Sequence, residues 1–489
     1  MTDNNVYADL KPAQLWRHFA ALNNIARPSG KEAAAREYAR KIAFESGAQG
    51  HVDNAGNLIV RVSARNGGRA DAPVVAVQSH LDMVCEKRPE IKHDFSADPI
   101  TPRREGDFIF ASGTTLGADN GIGIAAALAI LSTPGLRHGP LELLFTVQEE
   151  TGLQGAMALD AAQLQAAMLI NLDSEEPEEL TIGCAGGADT ILRIANAPVE
   201  ITRSDAVNCE LVVSGLRGGH SGVQIHEPLG NAIKILTGVL RELEAAGIDF
   251  RLGLVQGGSA HNAIARDACA ELSVTSGVLA ALKNAVAAAR DKAQSQWRES
   301  ESGLSIELRA SERDAITLQP ETGRDLLDLL DALPHGVLEM SQAFPGKVQT
   351  SNNLAIVRST PTEIIITTSS RSFVADDLQK VQQKIREQGE AKKAAVEIGA
   401  GYPGWEPNAD SQLLQLARQS YEQVFGKPAR VEVIHAGLEC GVIVSKKPGL
   451  EAISFGPLIR GAHSPDEYVA ASTVEPIWNL LTVLLARLS

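Results

Sequence analysis

The run VVAVQSHLD at residues 74–82 decides the fold. Its apolar part has the length of a strand and it ends in a histidine and an aspartate. Two later runs share that design, LELLFTVQEE at 141–150 and MLINLD at 168–173. Short apolar runs that end in acid or imidazole and alternate with helical patterns indicate an α/β layer structure, where strand ends converge and sites form. Between the first two runs lie TTLGADNGIG at 114–123, a glycine-rich turn, and a helical stretch from Asn120 to Ser132. Upstream, residues 31–46 read as a helix stopped by Gly47, and NLIVRVSA reads as a strand.

The residues at these strand ends carry chemistry. Residues two apart on a strand face one side, so Asp82 can lie beneath His80, where a carboxylate fixes the tautomer of a ligating imidazole. Taken alone, His-x-Asp is a weak signal and reads as an exposed turn. Asp119 sits among Gly117, Gly121 and Gly123, which permit backbone shapes closed to other residues. There Asp119 can bridge two cations with its two oxygens, or Asp119 or Asn120 can simply cap the helix. Glu149 and Glu150 are adjacent carboxylates at a strand end, costly without cations or solvent. Their side chains diverge, so one can ligate while the other serves as general base; the alternative is a solvated acidic pair. Asp173 has the same two readings, and the acidic run Glu175–Glu176–Pro177–Glu178–Glu179 reads as a solvated loop. With His463 in GAHSPDEY, the set is the equipment for two-metal hydrolysis of an amide bond.

A chain of 489 residues exceeds what one core usually serves, so two domains are expected. Hydrophobic residues at 44% and charged residues at 21% are ordinary for a globular enzyme, and the net charge of -15 disfavours nucleic acid and anionic membrane as partners. The N-terminal MTDNNVYADLKPAQLW has neither a basic start nor an apolar stretch, so no signal peptide is read, and no window reaches bilayer length. The cysteines Cys85, Cys184, Cys209, Cys269 and Cys440 are scattered, without CxxC spacing. They are expected to be reduced, small buried hydrophobes in a cytoplasmic protein.

From about residue 187 the pattern becomes strand, helix, strand, strand, helix, through NCELVVSG, NAIKILTGVLRELEAAG, FRLGLVQGG, ACAELSVTS and an Ala-rich helix. A similar order recurs from LSIELRAS through RDLLDLLDAL, LAIVRS and TEIIITTSS to the helix after Asp376, which suggests an internal duplication of β-α-β-β-α lobes. GYPGWEP marks a crossing back to α/β style. The expected organisation is a discontinuous catalytic domain, residues 1–186 and 401–489, with an inserted α+β lid, residues 187–400, for substrate recognition.

In order and wording, SHLDMV, HDF, GTTLGADNGIG, HGPLE, DSEE, GCAGG, HAGLECG and HSPDE resemble the aminoacyl-histidine dipeptidases, also called Xaa-His or cytosol non-specific dipeptidases. These stand in the co-catalytic zinc metallopeptidase superfamily with peptidase T, carnosinase and carboxypeptidase G. The resemblance spans nearly the whole chain. It implies an aminopeptidase-like α/β fold and two divalent ions, zinc first and cobalt or manganese as alternatives. Asp119 would bridge, His80 and Asp173 would complete one site, and Glu150 and His463 the other. Asp82 would orient His80, and Glu149 would take a proton from the attacking water and hand it to the leaving amine. In the lid, His220 of SGLRGGHSG would reach the tetrahedral oxyanion, and Asn262 and Arg371 would bind the substrate carboxylate, with His261 an alternative to Asn262 and His435 lining the pocket. Small peptides, including Xaa-His dipeptides such as carnosine, would be substrates of a homodimer. The competing readings are an aminotripeptidase, aminoacylase or carboxypeptidase on the same scaffold, and a non-catalytic metal- or peptide-binding protein.

Overall fold

A computed structural model describes residues 6–200, 204–311 and 316–489; the first five residues of the N-terminal stretch lie outside them. Two compact units form. One comprises the residues up to Cys184 with Trp405–Ile434 and Leu438–Ser489; the other comprises Ala185–Gly404 with His435–Gly437.

The first unit is built on an eight-stranded sheet. Its centre runs Leu141–Thr146, Val75–His80, Met168–Asn171 and Glu451–Ser454, all parallel, so their C-terminal ends lie along one edge. The first three are buried at every position, as expected of strands covered on both faces. Helix Ala118–Ser132 fills the space over the His80 strand. Its Ala- and Ile-rich sequence is apolar all round, and from Asn120 to Leu131 every residue is buried. A four-stranded sheet of Ile459–Arg460, Tyr468–Ala470, Phe108–Ala111 and Pro102–Glu105 anchors both ends of the loop that carries His463. The α/β expectation holds for this unit.

In the second unit a nine-stranded antiparallel sheet has the path Ser305–Ala310, Ala206–Ser214, Ala268–Thr275, Arg251–Gly257, Val348–Ser359, Glu363–Ser372, Gly186–Ala195 and Ala395–Ile398, with Gly336–Met340 beside Val348–Ser359. Its core joins alternate strand residues such as Leu192, Leu211, Leu354 and Ile366 to the helices, through Leu236, Leu282, Leu326 and Ile385. The structure corrects one assignment in the repeat. LSIELRAS does not open the second lobe; it pairs as an edge strand with Ala206–Ser214 of the first. The position beside Glu363–Ser372 is taken by Gly186–Ala195, which comes before both lobes in sequence.

None of the five cysteines forms a disulfide; Cys184, Cys209 and Cys440 are buried, whereas Cys85 and Cys269 are only partly so. Among the described residues no helix is long and apolar enough to cross a membrane.

Two histidines with no motif role are held neutral in this fold. His18 bonds Tyr38 Oη at 2.8 Å and Ser132 Oγ at 2.9 Å, and burial, with Arg17 nearby, lowers its pKa to about 4. Burial and Lys234 lower His335 likewise to about 4. Between the unfolded pKa of about 6.5 and the folded one, the unfolded chain binds protons that the native chain does not. The contribution of each imidazole is therefore complete above the unfolded value and shrinks as pH falls toward the folded one. The stability lost between about pH 7 and about pH 5, read from urea midpoints, is expected to be smaller in His335→Gln than in the parent, by on the order of 1 kcal/mol.

Candidate metal centre and active site

The strand ends and the His463 loop bring the expected ligands together within the first unit. His80 Nε2 lies 3.0 Å from Asp119 Oδ1 and 3.3 Å from Asp173 Oδ1. His463 Nε2 lies 3.3 Å from Asp119 Oδ2 and 3.0 Å from Glu150 Oε2. The two oxygens of Asp119 thus face two different donor groups. Donor atoms of His80, Asp119 and Asp173 fall within 4.8 Å of one another, as do those of Asp119, Glu150 and His463, and those of His80, Glu149 and Glu150.

Local structure explains why each side chain points where it does. The glycines around Asp119 do different work from that read in the sequence. Only Gly117 is left-handed, at φ 70°. A Cβ there would also lie 2.8 Å from Met83 Sδ and against the buried Arg27 guanidinium. Gly121 and Gly123 are needed for space: a Cβ on Gly121 would meet Phe19 at 2.9 Å, and one on Gly123 would overlap the Asn120 amide and reach the Leu172 carbonyl at 2.7 Å. Asn120 does not cap the helix, because its Oδ1 is buried without a hydrogen-bond partner. Asn120 Nδ2 donates instead to Leu172 O at 2.8 Å and to the Asp173 carboxylate. The Asp119–Asn120 peptide is cis, and His463 is left-handed at φ 64°.

Asp82 is buried and does more than face His80. Its Oδ1 lies 3.5 Å from His80 Nδ1 and accepts from Glu149 N at 3.1 Å; its Oδ2 accepts from Glu150 N at 3.2 Å and Ser29 Oγ at 2.7 Å. One carboxylate therefore holds the backbone of the glutamate pair and lies beside the imidazole. Behind the candidate ligands, the fully buried Glu439 accepts from Gln78 Nε2 at 2.6 Å and Thr146 Oγ1 at 2.7 Å, and burial pushes its pKa up to about 8.

The electrostatics fit cation binding. Burial, and then the neighbouring carboxylates, push Glu149 well above the usual carboxylate range and Asp173 up to about 6. Hydrogen bonds to Asp119 and Glu150 raise His463 to about 11. Glu150 Oε1 is buried without a hydrogen-bond partner. A site that gathers several carboxylates in low dielectric, with an unsatisfied oxygen among them, has the donor chemistry for divalent cations in place of protons. Glu175 departs from the solvated-loop reading: burial, with Asp119 and Asp173 nearby, raises it to about 8. The rest of that acidic run is ion-paired, Glu176 to Arg460, Glu178 to Lys427 and Glu179 to Arg430.

In the second unit, one hydrogen-bond pattern fixes the tautomer of His220. Its Nδ1 accepts from Gly222 N at 3.2 Å and Val223 N at 3.1 Å, so the neutral ring carries its proton on Nε2 as a donor. Burial, with Arg371 and His261 nearby, lowers its pKa to about 4. Arg371 lies on the sheet face away from the helices, opposite Ser351 and Gly187. It is 6% exposed; one Nη1–H donates to Tyr402 Oη at 2.9 Å, and Nε is buried without a partner. His435 Nε2 sits 2.7 Å from Ser351 Oγ. Asn262 is exposed, on a turn tied to the His220 loop by Ser221 N donating to its carbonyl at 2.9 Å. His261 is engaged elsewhere, with Nδ1 2.9 Å from Asp189 Oδ2.

Comparison with known proteins follows the same lines. Over 481 residues, 98% of this chain and 99% of the relative, the chain is 39% identical to the cytosol non-specific dipeptidase of Escherichia coli (strain K12). The crystal structure of aminoacylhistidine dipeptidase from Vibrio alginolyticus superposes with a TM-score of 0.90 at 35% identity, over 98% of this chain and 97% of that one. Aminopeptidase PepT from Bacillus cereus shares the fold, with a TM-score of 0.58 at 16% identity over 98% and 99% of the two chains. The profile of peptidase family M20/M25/M40 matches residues 76–487, and the chain belongs to this family.

Proposed function

We infer that this chain hydrolyses dipeptides, Xaa-His dipeptides among them, with two divalent cations held in its first unit. The observation that carries the reading is the division of Asp119, whose Oδ1 faces His80 and Asp173 while Oδ2 faces Glu150 and His463. The full-length relatives carry dipeptidase names, which favours that substrate class over tripeptides or acylated amino acids. His80, Asp119 and Asp173 would hold one ion, and Asp119, Glu150 and His463 the other. Bound there, such a pair supplies Lewis acidity toward the scissile carbonyl and toward water. Zinc is the first choice; imidazole and carboxylate donors also accept cobalt or manganese.

The other roles fall to the protein. Glu149, which no other group in the mechanism replaces, takes a proton from the attacking water on its carboxylate and passes it to the leaving nitrogen. Asp82 keeps the His80 ring and the Glu149 backbone in register. His220 Nε2–H is a neutral donor suited to a developing oxyanion, and Arg371 with Asn262 receives the free carboxylate of the substrate. In this assignment residues 1–186 and 401–489 are the catalytic domain and 187–400 the lid. A homodimer in the cytoplasm belongs to the same proposal, supported by the resemblance and by the relative's cytosolic name.

The test uses chelated protein, with and without added zinc, cobalt or manganese, against β-Ala-His, Gly-His, Leu-Gly and a tripeptide. Metal-restored cleavage of dipeptides with the tripeptide spared is expected; cleavage of the tripeptide alone would move the activity to the aminotripeptidase reading. Arg371→Ala is expected to raise KM for free dipeptides by about 10- to 100-fold, the worth of a charge-assisted pair. Dipeptide amides should be affected far less, and an equal loss on both would remove Arg371 from carboxylate recognition.

A further inference from the structure

The turn that presents Asp119 is gripped by one buried side chain. Leu116 N and Gly117 N donate to Glu467 Oε2 at 2.7 and 2.9 Å, and Ala118 N and Asp119 N donate to Oε1 at 2.7 and 3.2 Å. Four successive backbone N–H groups converge on one carboxylate that is 2% exposed. Charge-assisted bonds of this kind are short and directional, and a buried anion that lost them would be left uncompensated. From the other side the buried Arg27 donates to the carbonyls of Gly117 at 2.5 Å, Leu81 at 3.1 Å and Asp82 at 2.7 Å. The turn is thus held by an anion on its N–H groups and a cation on its carbonyl, and that cation also holds the backbone of Asp82.

Glu467 lies in the loop that carries His463, between strands Ile459–Arg460 and Tyr468–Ala470. One loop therefore supplies both an imidazole facing Asp119 Oδ2 and the carboxylate that grips the Asp119 backbone. Among the described residues, the other buried carboxylate outside the donor groups that hydrogen-bonds the main chain of their members is Asp82, at the glutamate pair.

We propose that Glu467 is a positioning residue of the metal centre: it fixes the Asp119 turn so that the two oxygens of that aspartate divide between the two donor groups. The proposal rests on the reading of Asp119 as the bridging ligand. Glu467→Gln keeps the shape and one accepting oxygen, but it turns an amide NH2 toward backbone N–H groups and removes the charge. Supporting groups behind metal ligands are worth about 10- to 100-fold in metal affinity. That loss is the expected effect.

The experiment titrates chelated parent, Glu467→Gln and Leu480→Ala with cobalt(II), following the visible absorption of the ion and its competition with a chelator, at a temperature where all three are folded. Leu480 is fully buried in the C-terminal helix and its side chain has no hydrogen-bonding group, so its truncation is expected to lower the Tm while the bonds of Glu467 stay in place. Weaker cobalt binding with a changed spectrum in Glu467→Gln, and parent-like binding in Leu480→Ala, is the expected result. Parent-like affinity and spectrum in Glu467→Gln, or equal weakening in both variants, would overturn the proposal. If Glu467→Gln does not fold, Glu467→Asp, which keeps the charge on a shorter arm, gives the same readout with the same two outcomes. A parent that binds no cobalt would instead remove the metal centre itself.

Discussion

Glu149→Gln is expected to lower kcat for dipeptides by roughly 10²- to 10⁴-fold or more while both metal ions stay bound, the effect of removing a general base without a ligand. The expectation comes from the division of labour in the glutamate pair. Glu150 turns one oxygen to His463 at 3.0 Å, whereas Glu149 makes no ion pair among the described residues and keeps its carboxylate beside His80, with burial and the nearby carboxylates raising its proton affinity. Asp82 holds the backbone N–H of both residues, so the substitution leaves the frame in place. Steady-state hydrolysis and metal content by emission spectroscopy read the two halves separately. A variant that loses an ion together with its activity would make Glu149 a ligand in the His80–Glu149–Glu150 group instead of a base.

Asp119→Ala should have the broadest effect on the metals. Two of the donor groups, His80–Asp119–Asp173 and Asp119–Glu150–His463, share Asp119, so its loss leaves each proposed site with two side chains and removes the charge common to both. Sites reduced to two protein donors fall below the three that catalytic zinc usually keeps, and both ions are expected to leave, with activity lost by at least about 10³-fold. His463→Ala is the informative contrast. His463 faces only Glu150 and one Asp119 oxygen, so its removal should empty one site and spare the other. Equal stoichiometry in the two variants would contradict the bridging role of Asp119.

Much of this centre was legible in the sequence because it is written at strand ends. His80, Glu149, Glu150 and Asp173 each close or follow an apolar run, and three parallel neighbours bring those ends side by side. What supports the ligands was less visible. Glu467 stands inside HSPDE, yet its grip on the Asp119 turn spans about 350 residues of chain, and no local period signals such a contact. Arg27 in IARPSG looks like any surface arginine until Gly117 and Gly121 are seen to leave room for its guanidinium. The glycine run was recognised, but the reason for two of its members is packing, which a sequence states only once the neighbours are known. Strand order misled in the second unit for a related reason: LSIELRAS has the alternation of a strand that opens a lobe, and alternation does not name the partner it pairs with. Glu175 was read as solvated from its acidic company, whereas burial and the nearby Asp119 and Asp173 raise its proton affinity.

The measurement closest to the central claim is anomalous scattering at the zinc edge from crystals of the zinc-loaded protein. The account predicts two peaks flanking the Asp119 carboxylate, about 3.5–4 Å apart, one beside His80 and Asp173 and the other beside Glu150 and His463. A single peak, or a pair in which Asp119 touches only one ion, would contradict it.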